Sequence, residues 1–316
     1  TASFGGGFTA TLSAESPAGV GASGGGTTSS GGYFNTNSGP QAGTFNPALI
    51  QYGGQKWPDF VGALHVKQGW GEAQVSGVIH NVNVTANGFD GAVVGASCGT
   101  FVAVVCNGQE NKIGWALDAG VKINLPSFGA GDDFVLTGAY SKNAAWYSGL
   151  EDGMWSENGA TNGNGQPMEL ADAFFNPLTN SWSSPTAWSV TGLFEHHFTP
   201  TIYVDLEGSV GGLKWSNMGG GCNFAVAGCL LGQAAQGPMS PSAISWIVGA
   251  DLGWNPVTNL NFDLELMYQS TNQSAPSGYL GTVYNLGGAA GAVFVPGDWK
   301  GNSNGFAGRL RITRYF

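Results

Sequence analysis

Carboxylates are the residues of this 316-residue chain whose types and spacing most invite a chemical reading. Glu195, Asp205, Glu207, Asp251, Asp263 and Glu265 precede a terminal pair of cations, Arg309 and Arg311. Asp205 and Glu207 together suit general acid–base work, in which one carboxyl gives a proton and the other takes it. The run Glu195-His196-His197 offers metal ligands. An extended chain, however, sends successive side chains to opposite faces. His196 then falls on one face and His197 on the other, so a shared metal is not expected. The same alternation puts Asp205 and Glu207 on one face without any enzyme. No GxSxG, HExxH or phosphate-binding loop is present. We therefore expect no catalytic group, no metal and no cofactor.

The four cysteines form two close pairs, Cys98 with Cys106 and Cys222 with Cys229. Zinc is the competing reading, but CxxC spacing and neighbouring histidines are missing. Two local disulfides, each inside one loop, suit an oxidising compartment better. A loop that short gains about 2–3 kcal/mol in the chain-entropy picture.

The elements that position these side chains show best in the last stretch, GFAGRLRITRYF (305–316). Phe306, Leu310, Ile312 and Phe316 alternate with Arg309, Arg311 and Tyr315, giving one apolar face and one cationic face. A greasy outside, a charged inside and an aromatic end at Phe316 are what a closing strand of an outer-membrane barrel requires. Earlier segments repeat the alternation. DFVGALHVKQGW sets Phe60 and Leu64 against His65 and Lys67, and EAQVSGVIHNV sets Val75 and Ile79 against Glu72 and His80. KIGWALDAGVKINL sends Ile113, Trp115 and Leu117 outward, with Lys112, Asp118 and Lys122 inward. The segments around Trp188–Phe198, Ile202–Val210, Trp246–Trp254 and Phe262–Tyr268 do the same, with the carboxylates named above on the inner side. About ten strands result, with short turns at one end and long Gly/Ser/Asn-rich loops at the other. The whole chain, 1–316, reads as one all-β antiparallel transmembrane β-barrel domain, with no long helix.

Composition agrees. Charged residues are only 9% of the chain, Gly numbers 54 and aromatics reach 12% with 11 Trp. A soluble surface needs more charge than that, whereas a lipid-facing wall does not. The net charge of −10 excludes nucleic acid as a partner, because phosphate binding needs clustered Lys and Arg. No apolar run is long enough for a transmembrane helix. The start on TASFGGGF lacks secretory-signal features, so a processed or trimmed chain is expected. Aromatics gather at strand ends in two groups. Trp115, Tyr140, Trp188, Trp246, Tyr268 and Phe306 lie near the long loops, and Phe8, Trp70, Phe134, Phe198, Trp254 and Phe316 near the short turns. Girdles at two water–lipid interfaces account for both.

The stretches PDFVGALHVKQGWGEAQVSGVIHNV, GWALDAGVKINLP, AWSVTGLFEHHFTP, WNPVTNLNFDLELMY and GFAGRLRITRYF together resemble the alphaproteobacterial general porin family, including its rhizobial-type members. FGGGFTATLSAE resembles the segment of those porins that spans the sixth and seventh strands. The resemblance implies a trimeric, sixteen-stranded diffusion channel in the bacterial outer membrane, contacting lipid and lipopolysaccharide. It also implies a third loop folded into the lumen. The N-terminal part carrying that loop and about six strands is expected to lie outside this numbering, with Phe306–Phe316 pairing to its first strand. The inward residues Lys67, Glu72, Lys112, Asp118, Lys122, Glu195, Asp205, Glu207, Asp251, Asp263, Glu265, Arg309 and Arg311 are the expected pore lining. Opposed acidic and basic walls would set a transverse field, and the surplus of carboxylates predicts a cation preference. A structural or adhesive barrel is the alternative, and an outer-membrane enzyme a more distant one.

Overall fold

A computed structural model describes residues 1–16, 49–52, 56–87, 108–150, 172–176, 181–216, 242–273, 282–285, 292–295 and 302–315. In chain order its strands are β1 (Ala2–Gly5), β2 (Phe8–Glu15), β3 (Leu49–Tyr52), β4 (Asp59–Gln68), β5 (Gly71–Asn87), β6 (Gly108–Asn124), β7 (Asp133–Lys142) and β8 (Phe174–Asn176). There follow β9 (Ser181–Ser183), β10 (Pro185–Thr199), β11 (Ile202–Trp215), β12 (Ala243–Val257), β13 (Leu260–Gln273), β14 (Thr282–Asn285), β15 (Ala292–Val295) and β16 (Asn302–Arg314). One antiparallel sheet runs in the order β1-β2-β4-β5-β6-β7-β10-β11-β12-β13-β16, with β3 added against the far end of β5. Each long strand therefore pairs with its sequence neighbours, as in an up-and-down wall. Among the described residues β16 pairs with β13 and β1 with β2, and no ladder joins the two edges. The described residues contain no helix long and apolar enough to cross a membrane. Such a helix is not needed, because paired strands also satisfy the backbone in lipid.

The sheet wears its apolar side chains outward. Leu12 is 86% exposed, Leu310 67% and Ile113 64%, in register with other exposed aliphatics along each strand. In water this exposure would be costly, and in hydrocarbon it is the favourable arrangement. The loop-side girdle forms as the alternation predicts. Trp115 meets Tyr140 at 5.7 Å between ring centroids, Trp246 meets Tyr268 at 5.4 Å, and Tyr268 meets Phe306 at 4.6 Å. At the turn side Trp254 packs on Phe262 at 5.3 Å. From Trp246 to Trp254 strand β12 advances about 27 Å at about 3.4 Å per residue, or about 20 Å along the normal at a tilt of about 40°.

Turn chemistry fixes the short ends. Gly5, Gly6 and Gly7 all have positive φ, and a Cβ on Gly7 would stand 2.0 Å from the Lys67 carbonyl oxygen. The GGG sequence is thus required by both conformation and close approach. The β12–β13 turn is tighter than the NPVTN stretch suggests, with β12 running to Val257 and Asn259 taking φ 66. Strands β5 and β6 also run further than the alternation indicates, pairing as far as Ala86 with Gly108. Val82, Val84 and Thr85 favour extended structure, so the ladder continues past the length that about ten residues need to span lipid. Cys98, Cys106, Cys222 and Cys229 lie outside the described residues, as does Phe316.

Candidate functional site

The polar face gathers its charges toward the short-turn end. Register alone builds the central feature. Asp133 stands opposite Glu195, Glu195 opposite Asp205, Asp205 opposite Asp251, Asp251 opposite Glu265, and Glu265 opposite Arg309. Five carboxylates on five adjacent strands therefore form one file, closed by an arginine. Neighbouring strands lie about 4.8 Å apart, so each acid meets the field of the next.

The ends of the file are neutralised and its middle is not. Arg309 Nη2 lies 2.6 Å from Glu265 Oε2, and Lys122 Nζ lies 2.5 Å from Asp133 Oδ2. Among the described residues Asp205, Glu207 and Asp251 make no ion pair with Lys or Arg. Asp205 Oδ1 and Asp251 Oδ1 are enclosed without a protein hydrogen-bond partner. Glu207 stands between Leu193 and Gly249, one step toward the loops.

One step toward the turns lies a second file, His197, Tyr203, Gly253, Asp263 and Arg311. Arg311 Nε donates to Asp263 Oδ2 at 3.1 Å, and the Tyr203 hydroxyl donates to Asp263 Oδ1 at 3.3 Å. Asn261 Nδ2 in turn donates to the Tyr203 oxygen at 3.2 Å. Gly253 makes this possible, for the Tyr203 ring occupies the space a Cβ would need, with Cζ 2.0 Å from that position. At the other end of the sheet Glu72 receives His65 at 3.2 Å and Lys67 at 3.6 Å. Asp118 sits higher on the same face, opposite Ser76 and Ala139. Lys112 stands opposite Val82 at the loop end, away from the charged files. On β10 to β13 the loop-side half of this face is uncharged, with hydroxyl pairs such as Thr191 to Ser209 at 3.0 Å and Thr271 to Ser245 at 2.9 Å.

His196 and His197 share no metal geometry, and among the described residues no cluster of His, Cys, Asp and Glu could hold an ion. Both instead serve the β6–β7 turn. Asp132 Oδ2 pairs with His196 Nδ1 at 2.6 Å, and Asp132 Oδ1 accepts the His197 backbone N–H at 2.9 Å. That N–H, followed by the His196 bond, holds the Asp132 carboxyl below the usual carboxylate range.

Sequence reading missed two features. Asp133 is the seventh acid of the β7–β13 wall, and extending the phase of Phe134 and Leu136 by one residue would have found it. A buried group, Asp59, His80, Tyr147 and Asp172, carries no local spacing at all. His80 Nδ1 meets Asp59 Oδ2 at 2.6 Å and His80 Nε2 meets Asp172 Oδ2 at 3.0 Å.

An all-β wall, apolar toward lipid and charged on the other face, suits a channel rather than an enzyme. No curated protein matches the chain. A family model described as the porin subfamily matches residues 1–288. The chain therefore belongs to the porin subfamily, the non-enzymatic β-barrel diffusion channels of the bacterial outer membrane.

Proposed function

We propose that this porin passes small hydrophilic solutes and ions through a water-filled lumen, with a preference for cations. The observation that carries the reading is the file Asp133, Glu195, Asp205, Asp251 and Glu265, in which Asp205 and Asp251 lack basic partners among the described residues. Uncompensated carboxylates facing a wet channel raise the local concentration of cations. Arg309 and Arg311 on β16, with Lys67 and Lys122 at the opposite flank, supply the basic side of a transverse field. Lys112, Asp118, Glu72, Glu207 and Asp263 complete the proposed lining.

Two further points belong to this reading. The barrel is completed to sixteen strands, since free ladder edges at β1 and β16 would each leave backbone groups unsatisfied in lipid. The assembled channel is a homotrimer of the alphaproteobacterial type, set among outer-membrane lipid and lipopolysaccharide. Planar-bilayer recording and liposome swelling with the full-length protein test the function. Stepwise insertion of ohmic channels and swelling in small sugars are expected. Protein that is folded in liposomes yet conducts no ions and admits no sugar would favour a surface role instead.

A further inference from the structure

After β7 the chain turns back over the polar face as a strap, residues 143–150, built around a 3₁₀ turn at Ala145–Ser148. This is where the described sheet acquires a dry core. Ala144, Ala145, Ser148 and Leu150 of the strap are buried, and so are Ala116, Ala139, Ser141, Ala187 and Leu213 of the wall. The wall is shaved to receive it. A Cβ on Gly114 would stand 2.1 Å from the Asn143 carbonyl oxygen, and one on Gly211 would stand 2.6 Å from Leu150 Cδ2. Ser189 Oγ donates to the Ser148 carbonyl at 2.5 Å, and the Asn143 N–H donates to Pro185 at 3.0 Å.

The outer end of the strap is tied by charge. Tyr147 donates its hydroxyl to Asp59 Oδ2 at 2.7 Å, and Asp172 Oδ1 accepts the Ala145 N–H at 2.9 Å. His80 stands between the two carboxylates, 4% exposed, with a ring nitrogen on each. The titratable groups that face it are Asp59 from β4, Tyr147 from the strap and Asp172 beyond it. Carboxylates only accept, so serving both requires a proton on each ring nitrogen. The neutral ring can serve one of them only.

We propose that His80 is the latch of a gate. In its doubly protonated form it holds the strap flat on the wall and the lumen open. When that latch fails, Asp172 and the Ala145 end of the strap come free, and the strap swings into the lumen as a transient block. This inference rests on the channel reading. Tyr147 does not compete in the test, because burial, with the Asp59 carboxylate, pushes its phenol upward and keeps it a donor.

Single-channel recording of the full-length protein across pH tests the proposal. In the native protein, brief closures become more frequent as alkaline pH removes the His80 proton. His80→Gln closes about tenfold or more often at neutral pH, the factor that one lost charge-assisted hydrogen bond supplies, and loses the alkaline dependence. Ser189→Ala removes an anchor away from the charges, so it raises closure frequency while keeping the pH dependence. Equal quietness of native and H80Q channels, or an unchanged alkaline response in H80Q, overturns the latch. Should H80Q fail to fold, native channels quiet at alkaline pH together with quiet S189A channels overturn it equally. An absence of conductance in the native protein would instead strike the channel reading itself.

Discussion

Gly253→Ala isolates how the turn-side files are held. The new Cβ would stand 2.0–2.5 Å from Cζ, Cε1 and Cε2 of Tyr203, so the ring must leave its place. Leaving breaks its bonds to Asp263 and Asn261 and its 5.6 Å stacking on His197. Two hydrogen bonds at about 0.5–1.5 kcal/mol each, with one made to a charged group, put the cost near 2–3 kcal/mol. In a Tyr203→Ala background the clash is gone. There Gly253→Ala is expected to be neutral or to stabilise by about 0.5–1 kcal/mol, since glycine inside a strand is unfavourable relative to alanine. The coupling between the two sites is then about 3 kcal/mol. Urea titrations of the folded protein in micelles, followed by tryptophan fluorescence, measure the four corners of the cycle. Equal costs for Gly253→Ala in both backgrounds would refute the reasoning.

Other outcomes follow from the two faces. Leu264→Arg, on the lipid side of β13, should destabilise by about 2–4 kcal/mol, while Glu265→Gln on the other side of the same strand leaves stability within about 1 kcal/mol; similar losses in the same urea titration would mean the faces are misassigned. Because the Asp132 carboxyl is held below its ordinary range, its contribution is present above the unfolded Asp value and lost as pH falls through the lowered folded one. Amide exchange at His197 should therefore quicken, relative to other strand-end amides, only in that acidic window, and an unchanged relative rate there contradicts the assignment. Non-reducing peptide maps should show Cys98–Cys106 and Cys222–Cys229 links; free thiols or crossed pairs would overturn the pairing.

Much of the fold was legible because lipid imposes one rule on every strand. Leu12, Ile113, Leu264 and Leu310 had to face one way, and the charged neighbours in phase with them faced the other. That rule also placed Arg309 and Arg311 on the same face as the acids, although it expected them on an opposed wall and not beside Glu265 and Asp263. Register decided the partners, and register is set by turns. The two-residue β12–β13 turn brings Glu265 opposite Asp251, a spacing the NPVTN stretch left open. The strap was not legible. KNAAWYSGL looks like any small-residue loop, and the positions that receive it, Gly114, Ala116, Ala139, Ala187 and Gly211, look like ordinary strand filling. His80 meets Asp172 across 92 residues, a distance at which sequence spacing says nothing.

The central claim is that the carboxylate file sets what the pore admits, and reversal potential in a salt gradient tests it most directly. The full-length protein should give the sign of a cation-selective channel. Asp205→Asn with Asp251→Asn, which removes the two members of the file without basic partners, should move the potential toward zero at unchanged folding. Clear anion selectivity in the native channel, or a reversal potential untouched by neutralising both acids, would contradict the account.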